Sequence, residues 1–119
     1  MNLAVVGSRH YTDYASFCKI LNSWIDKNGI PDTIVSGGAK GADALAKRFA
    51  KEKNITLVEY EADWERYGKS AGPRRNTLIV NAATHMIAFP SHTGRGTQNS
   101  IKKAEEKIGK ALVHVVYVD

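Results

Sequence analysis

The stretch Ile34-Val35-Ser36-Gly37-Gly38-Ala39-Lys40-Gly41-Ala42-Asp43 constrains this chain more than any other. A short apolar run ends in two adjacent glycines, turns once, and passes directly into the helical spacing Ala42, Leu45, Ala46, Phe49, Ala50. That pattern is a strand, a tight loop and the start of a helix. Paired glycines let the backbone adopt φ > 0 and leave room for another group to lie against it. The helix behind them offers unpaired N–H groups and the positive end of its dipole, so the unit reads as an anion-binding turn or as a simple tight connection. It is not a Walker A loop, because no Gly-Lys-Ser/Thr closes it, and it is not G-x-G-x-x-G.

The rest of the chain repeats the same alternation. Leu3–Val6 is a continuous apolar run closed by Gly7-Ser8-Arg9, as expected of a strand buried on both faces. Met1 to Gly7 is too short for a signal peptide and reads as this first strand. A helix follows from Asp13 as N-cap, with Phe17, Ile20, Leu21, Trp24 and Ile25 on one stripe, and Asn28-Gly29-Ile30-Pro31 ends it. Trp24 belongs to the core on this spacing, and Cys18, flanked by Phe17 and Leu21, packs rather than reacts. Thr33–Ser36 is the second strand, followed by the glycine turn and a helix to about Lys53, and Ile55–Glu59 is a third strand suited to a sheet edge. Glu61 to Gly72 has no clear periodicity. A helix is expected from Pro73, which suits a first helical position, with Leu78, Ile79, Ala82 and Ala83 as its apolar face. His85–Phe89 is the fourth strand, stopped by Pro90. A helix after Gly96 carries Ile101, Ala104 and Ile108, and Leu112–Val118 is the last strand.

The order βαβαβαβαβ predicts an α/β, Rossmann-like three-layer fold: a parallel sheet of about five strands with helices on both faces, as one domain over residues 1–119. A length of 119 residues at 43% hydrophobic content suits one such core, and no apolar run reaches membrane-spanning length. The first strand is expected at the centre, flanked by the second and fourth, so that both glycine turns face one cleft. In such folds every strand-to-helix loop emerges on one rim. This gathers Gly7, Ser8 and Arg9, then Ser36, Gly37 and Gly38, then Asp63 and Trp64, then Arg74, Arg75 and Asn76, and finally Gly94, Gly96 and Thr97.

The formal charge of +5 matters through its placement. Lysines 19, 27, 47, 51, 53, 102, 103, 107 and 110 lie on expected helices among polar neighbours, as ordinary solvated faces. Arg9, Arg66, Arg74, Arg75 and Arg95 lie instead in loops or first helical turns after strands, and arginine is the side chain whose planar fork grips phosphate or carboxylate. Arg74 and Arg75 fall in the first turn of the Pro73 helix, where a cation opposes the dipole by roughly 0.3–1 kcal/mol. They make sense there if an anion shares the site; the alternative is two solvent-facing arginines. Gly94-Arg95-Gly96-Thr97 is a second glycine-flanked helix start with Thr97 as N-cap, or a flexible cap loop. Asp43 is a ligand contact, or a cap or partner for a rim arginine. Asp63 and Trp64 offer a hydroxyl acceptor and a stacking face, with Trp64 equally readable as a lid packed on the core. Ser8 can reach a phosphate through its hydroxyl. His10, His85, His92 and His114 show no metal spacing with Cys18 or each other, and no metal is expected.

Taken together, Val6-Gly7-Ser8-Arg9, Ser36-Gly37-Gly38-Ala39 with Gly41-Ala42-Asp43, Ala62-Asp63-Trp64, Ala71-Gly72-Pro73 with Arg75-Asn76, and Phe89-Pro90 with Gly94, Gly96 and Thr97 resemble the SLOG superfamily (Smf/DprA–LOG related). The nearest likeness is its YspA/YpsA-related branch of small stand-alone or phage- and plasmid-borne proteins. The resemblance covers essentially the whole chain. It implies binding of a nucleotide or nucleotide-derived molecule in a sensing, sequestering or regulatory role, at the carboxyl-end rim of the sheet. Members of the LOG branch are phosphoribohydrolases that cut the N-glycosidic bond of nucleoside monophosphates, and members of the Smf/DprA branch bind single-stranded DNA. This chain departs from the LOG pattern after its glycine-rich segment, where Gln98 and Asn99 stand in place of glutamates. An amide cannot serve as the general acid or base of such a cleavage, which leaves enzymatic activity an open question.

Three expectations follow: a small-molecule binding protein; a hydrolase working through Asp43, Asp63 or Glu65 instead; or a single-stranded nucleic-acid binder stacking bases on Trp64 and Tyr67. The third is the weaker, because aromatic side chains near the rim are few and the lysines are dispersed. Relatives often form homodimers or higher homo-oligomers, and the same is expected here. No cofactor and no membrane partner are expected. A single cysteine and the resemblance together place the chain in the cytoplasm of a bacterium or phage-infected host cell.

Overall fold

The computed structural model describes residues 1–118; Asp119, the last residue of the expected domain, lies outside the described residues. Strands β1 (Asn2–Gly7), β2 (Thr33–Ser36), β3 (Thr56–Glu59), β4 (His85–Phe89) and β5 (Val113–Val115) alternate with helices α1 (Tyr14–Asn28), α2 (Ala42–Glu52), α3 (Trp64–Tyr67), α4 (Ala71–Ala82) and α5 (Gly96–Ile108). The five strands form one parallel sheet in the order β3-β2-β1-β4-β5. The arrangement is the three-layer α/β, Rossmann-like one, with β1 between β2 and β4.

The pleat of β1 explains how two layers share one strand. Leu3 and Val5 point to the face covered by Phe17 and Leu21 of α1 and Phe49 of α2, joined by Ile34, Ile87 and Phe89. Ala4 and Val6 point to the other face, against Ile79, Val80 and Ala83 of the α4 segment and Ile101 and Ala104 of α5. Alternate side chains on opposite faces are the geometry of any strand, so a run that is apolar throughout needs a helical layer on each side. Phe17 anchors the first layer, with its ring 5.2 Å from Phe89 and 5.9 Å from Phe49.

Helix ends follow local chemistry. Asp13 caps α1 by accepting the Ser16 N–H at 3.1 Å, and Gly29, at φ +93°, closes it. Trp24 is buried in the core and Cys18 is half-buried against it.

Several boundaries differ from the sequence reading. Helix α4 begins at Ala71, ahead of Pro73, because a first turn needs no intrahelical N–H partner and so accepts proline beyond its first position. Its buried stripe is Ile79, Val80 and Ala83, while Leu78 is exposed. The aperiodic segment before it holds the single-turn helix α3, which Asp63 caps by accepting the Arg66 N–H at 3.2 Å. Arg95, not Thr97, occupies the N-cap of α5. Strand β5 is shorter than expected, yet Val116 and Val118 still donate to Ala88 O at 2.8 Å and Pro90 O at 2.9 Å, so the chain keeps running beside β4.

Candidate functional site

Two glycines bring the loops after β1 and β2 into contact. A Cβ on Gly7 would lie 2.7 Å from both Ala42 Cβ and Phe89 O, so only glycine lets the end of β1 sit this close to α2 and β4. Gly41 adopts φ +71° with its α-carbon pressed on the backbone of Ser8 and Arg9. The Ala42 N–H then donates to Ser8 O at 3.0 Å, and the Ser8 N–H donates to Phe89 O at 2.8 Å. This lattice holds Arg9 and His10 at the mouth of a cleft.

The turn after β2 uses its own polar groups internally. The Ala39 N–H donates to Asp43 Oδ2 at 3.1 Å, and Gly37 O accepts from Arg75 Nη1 at 3.0 Å. Asp43 is buried, which pushes its carboxyl pKa up, while the Ala39 N–H and the Arg75 charge draw it down. Ser36 is wholly buried beneath, and its Oγ completes no hydrogen bond. Burial in turn pushes the Arg75 pKa down; Asp43 opposes this and nearby Arg9 adds to it. A guanidinium stays protonated throughout, so Arg9 and Arg75 put two cations beside one buried carboxyl.

These groups edge a cleft of about 570 Å³ along the carboxyl ends of β1 and β4. Val6, Gly7 and Ile79 form its floor. Pro73, Arg75 and Asn76 of α4 form one wall, and Ser91, Thr93 to Thr97, Asn99 and Ser100 form the other. Trp64 lies at the entrance, 51% exposed, with its ring over Gly72, where a Cβ would come within 3.2 Å of the indole. The start of α5 faces this space with no side-chain cap and no acidic residue in its first turn. Among the described residues lining the cleft, Asp43 is the one carboxylate, against Arg9, Arg75 and Arg95.

The rim residues singled out in the sequence divide into three groups. Gly7, Ser8, Arg9, Asp43, Trp64, Arg75, Asn76, Gly94, Gly96 and Thr97 line this cleft. Gly37 and Gly38 line an adjoining depression with Arg9, Ala39, Glu61 and Arg75. Ser36, Asp63 and Arg74 line neither. Arg74 turns outward, donating from Nε to Ser70 Oγ at 3.2 Å with its guanidinium 4.2 Å above the Tyr67 ring. Gln98 also faces away, donating to Tyr117 Oη at 3.5 Å, whereas Asn99 faces the cleft. Sequence reasoning passed over Ser91 and Ser100 as site residues. Ser91 Oγ accepts the Gly94 N–H at 2.9 Å and shapes the loop. Ser100 was findable: it shares the inner stripe of α5 with Thr97, Ile101 and Ala104, and a small polar residue on an apolar stripe is a signal. No cluster of three or more potential metal ligands occurs among the described residues, and none of their helices is long and apolar enough to cross a membrane.

The model of the YspA, cpYpsA-related SLOG family matches residues 1–67, which end with α3. The Gene 61 protein of Mycobacterium phage D29 is 32% identical over 108 residues, covering 86% of each chain. Among solved structures, DNA processing protein A from Helicobacter pylori, described for its single-stranded DNA binding mode, superposes with a TM-score of 0.63 at 22% identity. That likeness covers 97% of this chain but 64% of the other, so the chain spans less than two thirds of that protein's length and shares its fold.

Proposed function

We propose that this chain, which belongs to the YspA, cpYpsA-related SLOG family, binds a nucleotide or nucleotide-derived small molecule in the cleft between α4 and α5. One observation carries the reading: Arg9, Arg75, Arg95 and the uncapped start of α5 converge on one space that holds a single, buried carboxylate. Cations and helix N-termini attract phosphate for the same electrostatic reason, and a planar guanidinium adds two parallel donors. The apolar floor and the Trp64 ring supply a surface for a base. Asp43, beside Arg9 and Arg75, is an acceptor suited to a hydroxyl. Binding is favoured over hydrolysis because α5 places amide and hydroxyl groups, not carboxylates, inside the cleft at Asn99 and Ser100, while Asp43 is engaged by Ala39.

The test is direct. The purified protein is denatured and the supernatant examined by mass spectrometry for a released nucleotide; the refolded or ligand-free protein is then titrated calorimetrically with mononucleotides and dinucleotides. Saturable binding of a phosphate-bearing nucleotide supports the reading, and its absence for every phosphate-bearing compound removes it.

A second reading, single-stranded nucleic acid, is favoured by the surface beside the cleft. Trp64 and Tyr67 are both exposed, and the guanidiniums of Arg66 and Arg74 lie 5.2 Å and 4.2 Å from the Tyr67 ring. Aromatic faces with interleaved arginines hold unpaired bases and phosphates without sequence preference. Titrating a fluorescent oligothymidylate discriminates the two: salt-sensitive binding lost in Tyr67→Ala, with mononucleotides failing to compete, favours the nucleic acid.

A further inference from the structure

On the reading that the cleft takes a nucleotide, we propose that Asn99 selects its phosphate, because the hydrogen-bond network behind Asn99 makes it present amide donors, and not its oxygen, to the ligand.

The polarity begins at Arg75. Its Nε carries a proton and no lone pair, so the Asn76 atom lying 3.0 Å away is the amide oxygen. Asn76 Nδ2 therefore points the other way, where it donates to Gly96 O at 3.4 Å and to Asn99 Oδ1 at 3.2 Å. Gly96 O can only accept, so an obligate donor at one end and an obligate acceptor at the other agree on one orientation of Asn76. The two ends of an amide are alike in shape, and partners such as these decide between them. Asn76 is only 7% exposed, so a flipped amide would set donor against donor at Arg75 and oxygen against oxygen at Gly96 with little solvent contact to offset it.

The same reasoning passes to the next residue. The Asn99 atom that meets Asn76 has to be an acceptor, so its Nδ2 is the end left for the cleft that Asn99 lines. That Nδ2 has no hydrogen-bond partner among the described residues. The first turn of α5, with no side-chain cap and no acidic residue, adds further donors at the same end of the cleft. A sugar hydroxyl placed there can accept from one or two of these donors, but its own proton is left without an acceptor. A phosphoryl oxygen, with several lone pairs and no proton, satisfies them all. The α5 end of the cleft thus offers donors and no carboxylate, whereas at the other end Arg9 and Arg75 share the space with the Asp43 carboxyl, and a nucleotide enters with its phosphate toward Asn99.

The experiment follows the side-chain amide of Asn99 by ¹⁵N NMR in the wild-type protein, its signal assigned by its loss in Asn99→Asp. Adenosine 5′-monophosphate should shift the Asn99 NH₂ pair and slow its proton exchange, while adenosine leaves it unmoved. Asn99→Ala should weaken adenosine monophosphate binding about tenfold and Asn99→Asp about a hundredfold, because the first removes a donor and the second adds a repelling acceptor. Asn76→Asp keeps an acceptor for Arg75 but faces Asn99 with oxygen, turning that amide around; its binding should fall below that of the uncharged control Asn76→Leu. Adenosine monophosphate binding with an unmoved Asn99 amide, or Asn99→Asp binding within about threefold of wild type, overturns this assignment and leaves the nucleotide reading standing. Wild-type protein that binds neither adenosine monophosphate nor inorganic phosphate overturns both.

Discussion

Arg75 and Gly37 lie 38 residues apart and meet at 3.0 Å, the guanidinium Nη1 donating to the glycine carbonyl in space that any side chain at Gly37 would fill. The contact ties α4 to the end of β2 and holds the guanidinium at the edge of the cleft. Gly37 is not needed for a left-handed backbone, since the positive-φ glycines of this turn are Gly38 and Gly41. Its hydrogen side chain leaves room for Arg75.

Gly37→Ala should therefore separate binding from folding. The new methyl displaces the ends of the Arg75 and Asp43 side chains rather than backbone, so unfolding free energy should fall by only about 1–2 kcal/mol, the share of the Arg75 hydrogen bond that is lost. Adenosine monophosphate affinity should drop about tenfold as Arg75 leaves its place. Urea denaturation and calorimetric titration of the same preparation check both halves.

Adjacent arginines should behave differently. Arg75→Ala removes a partly buried guanidinium from the cleft and should cost more than tenfold in affinity, in line with about 1.5–3 kcal/mol for a charge-assisted hydrogen bond. Arg75→Lys should recover little, because an ammonium cannot reproduce the fork that serves Gly37 and Asn76 together. Arg74→Ala, facing Ser70 and Tyr67, should leave mononucleotide affinity within about twofold.

Asp43 should leave a signature in the pH dependence of stability. Burial, its largest influence, raises its folded-state pKa above the unfolded value. The folded protein then holds a proton that the unfolded chain releases, so this contribution is complete below the unfolded pKa and is lost as pH rises through the folded one. Asp43→Asn keeps an oxygen for the Ala39 N–H without titrating. Relative to that variant, wild-type stability should decline with rising pH across this interval, as read from urea midpoints at successive pH values.

The two tryptophans should divide stability from ligand response. Trp24→Ala empties a buried site and should cost roughly 3–5 kcal/mol. Trp64→Ala, at a residue 51% exposed, should cost less than about 1 kcal/mol while altering nucleotide affinity. In a Trp24→Phe background, added nucleotide should change the remaining fluorescence and shield it from acrylamide.

The sequence alone determined the layers and the edge on which a ligand would be met. Leu3 to Val6 can only be a strand covered on both faces, the helical stripes supply the covers, and right-handed crossovers then leave β1 central with its loop beside those of β2 and β4. Asp13 and Gly29 end α1 through contacts within a few residues, which is why those limits were readable. What happens within the rim depends on residues far apart in the chain. Arg74 and Arg75 are equivalent as text, but neighbours on a helix point about 100° apart. Only the seating of α4 decides that Arg75 meets Gly37 while Arg74 meets Tyr67. Gln98 and Asn99 part in the same way, one toward Tyr117 and the other toward Asn76. The start of α4 at Ala71 was hidden because proline satisfies the first turn at more than one position. Whether the turn at Gly37 and Gly38 is an anion-binding turn or a tight connection stayed open, because a string of residues does not reveal that Asp43 takes the Ala39 amide and Arg75 the Gly37 carbonyl. Local propensity selects elements over a few residues, whereas the partner of a buried polar group is chosen by whichever distant donor or acceptor packing delivers to it.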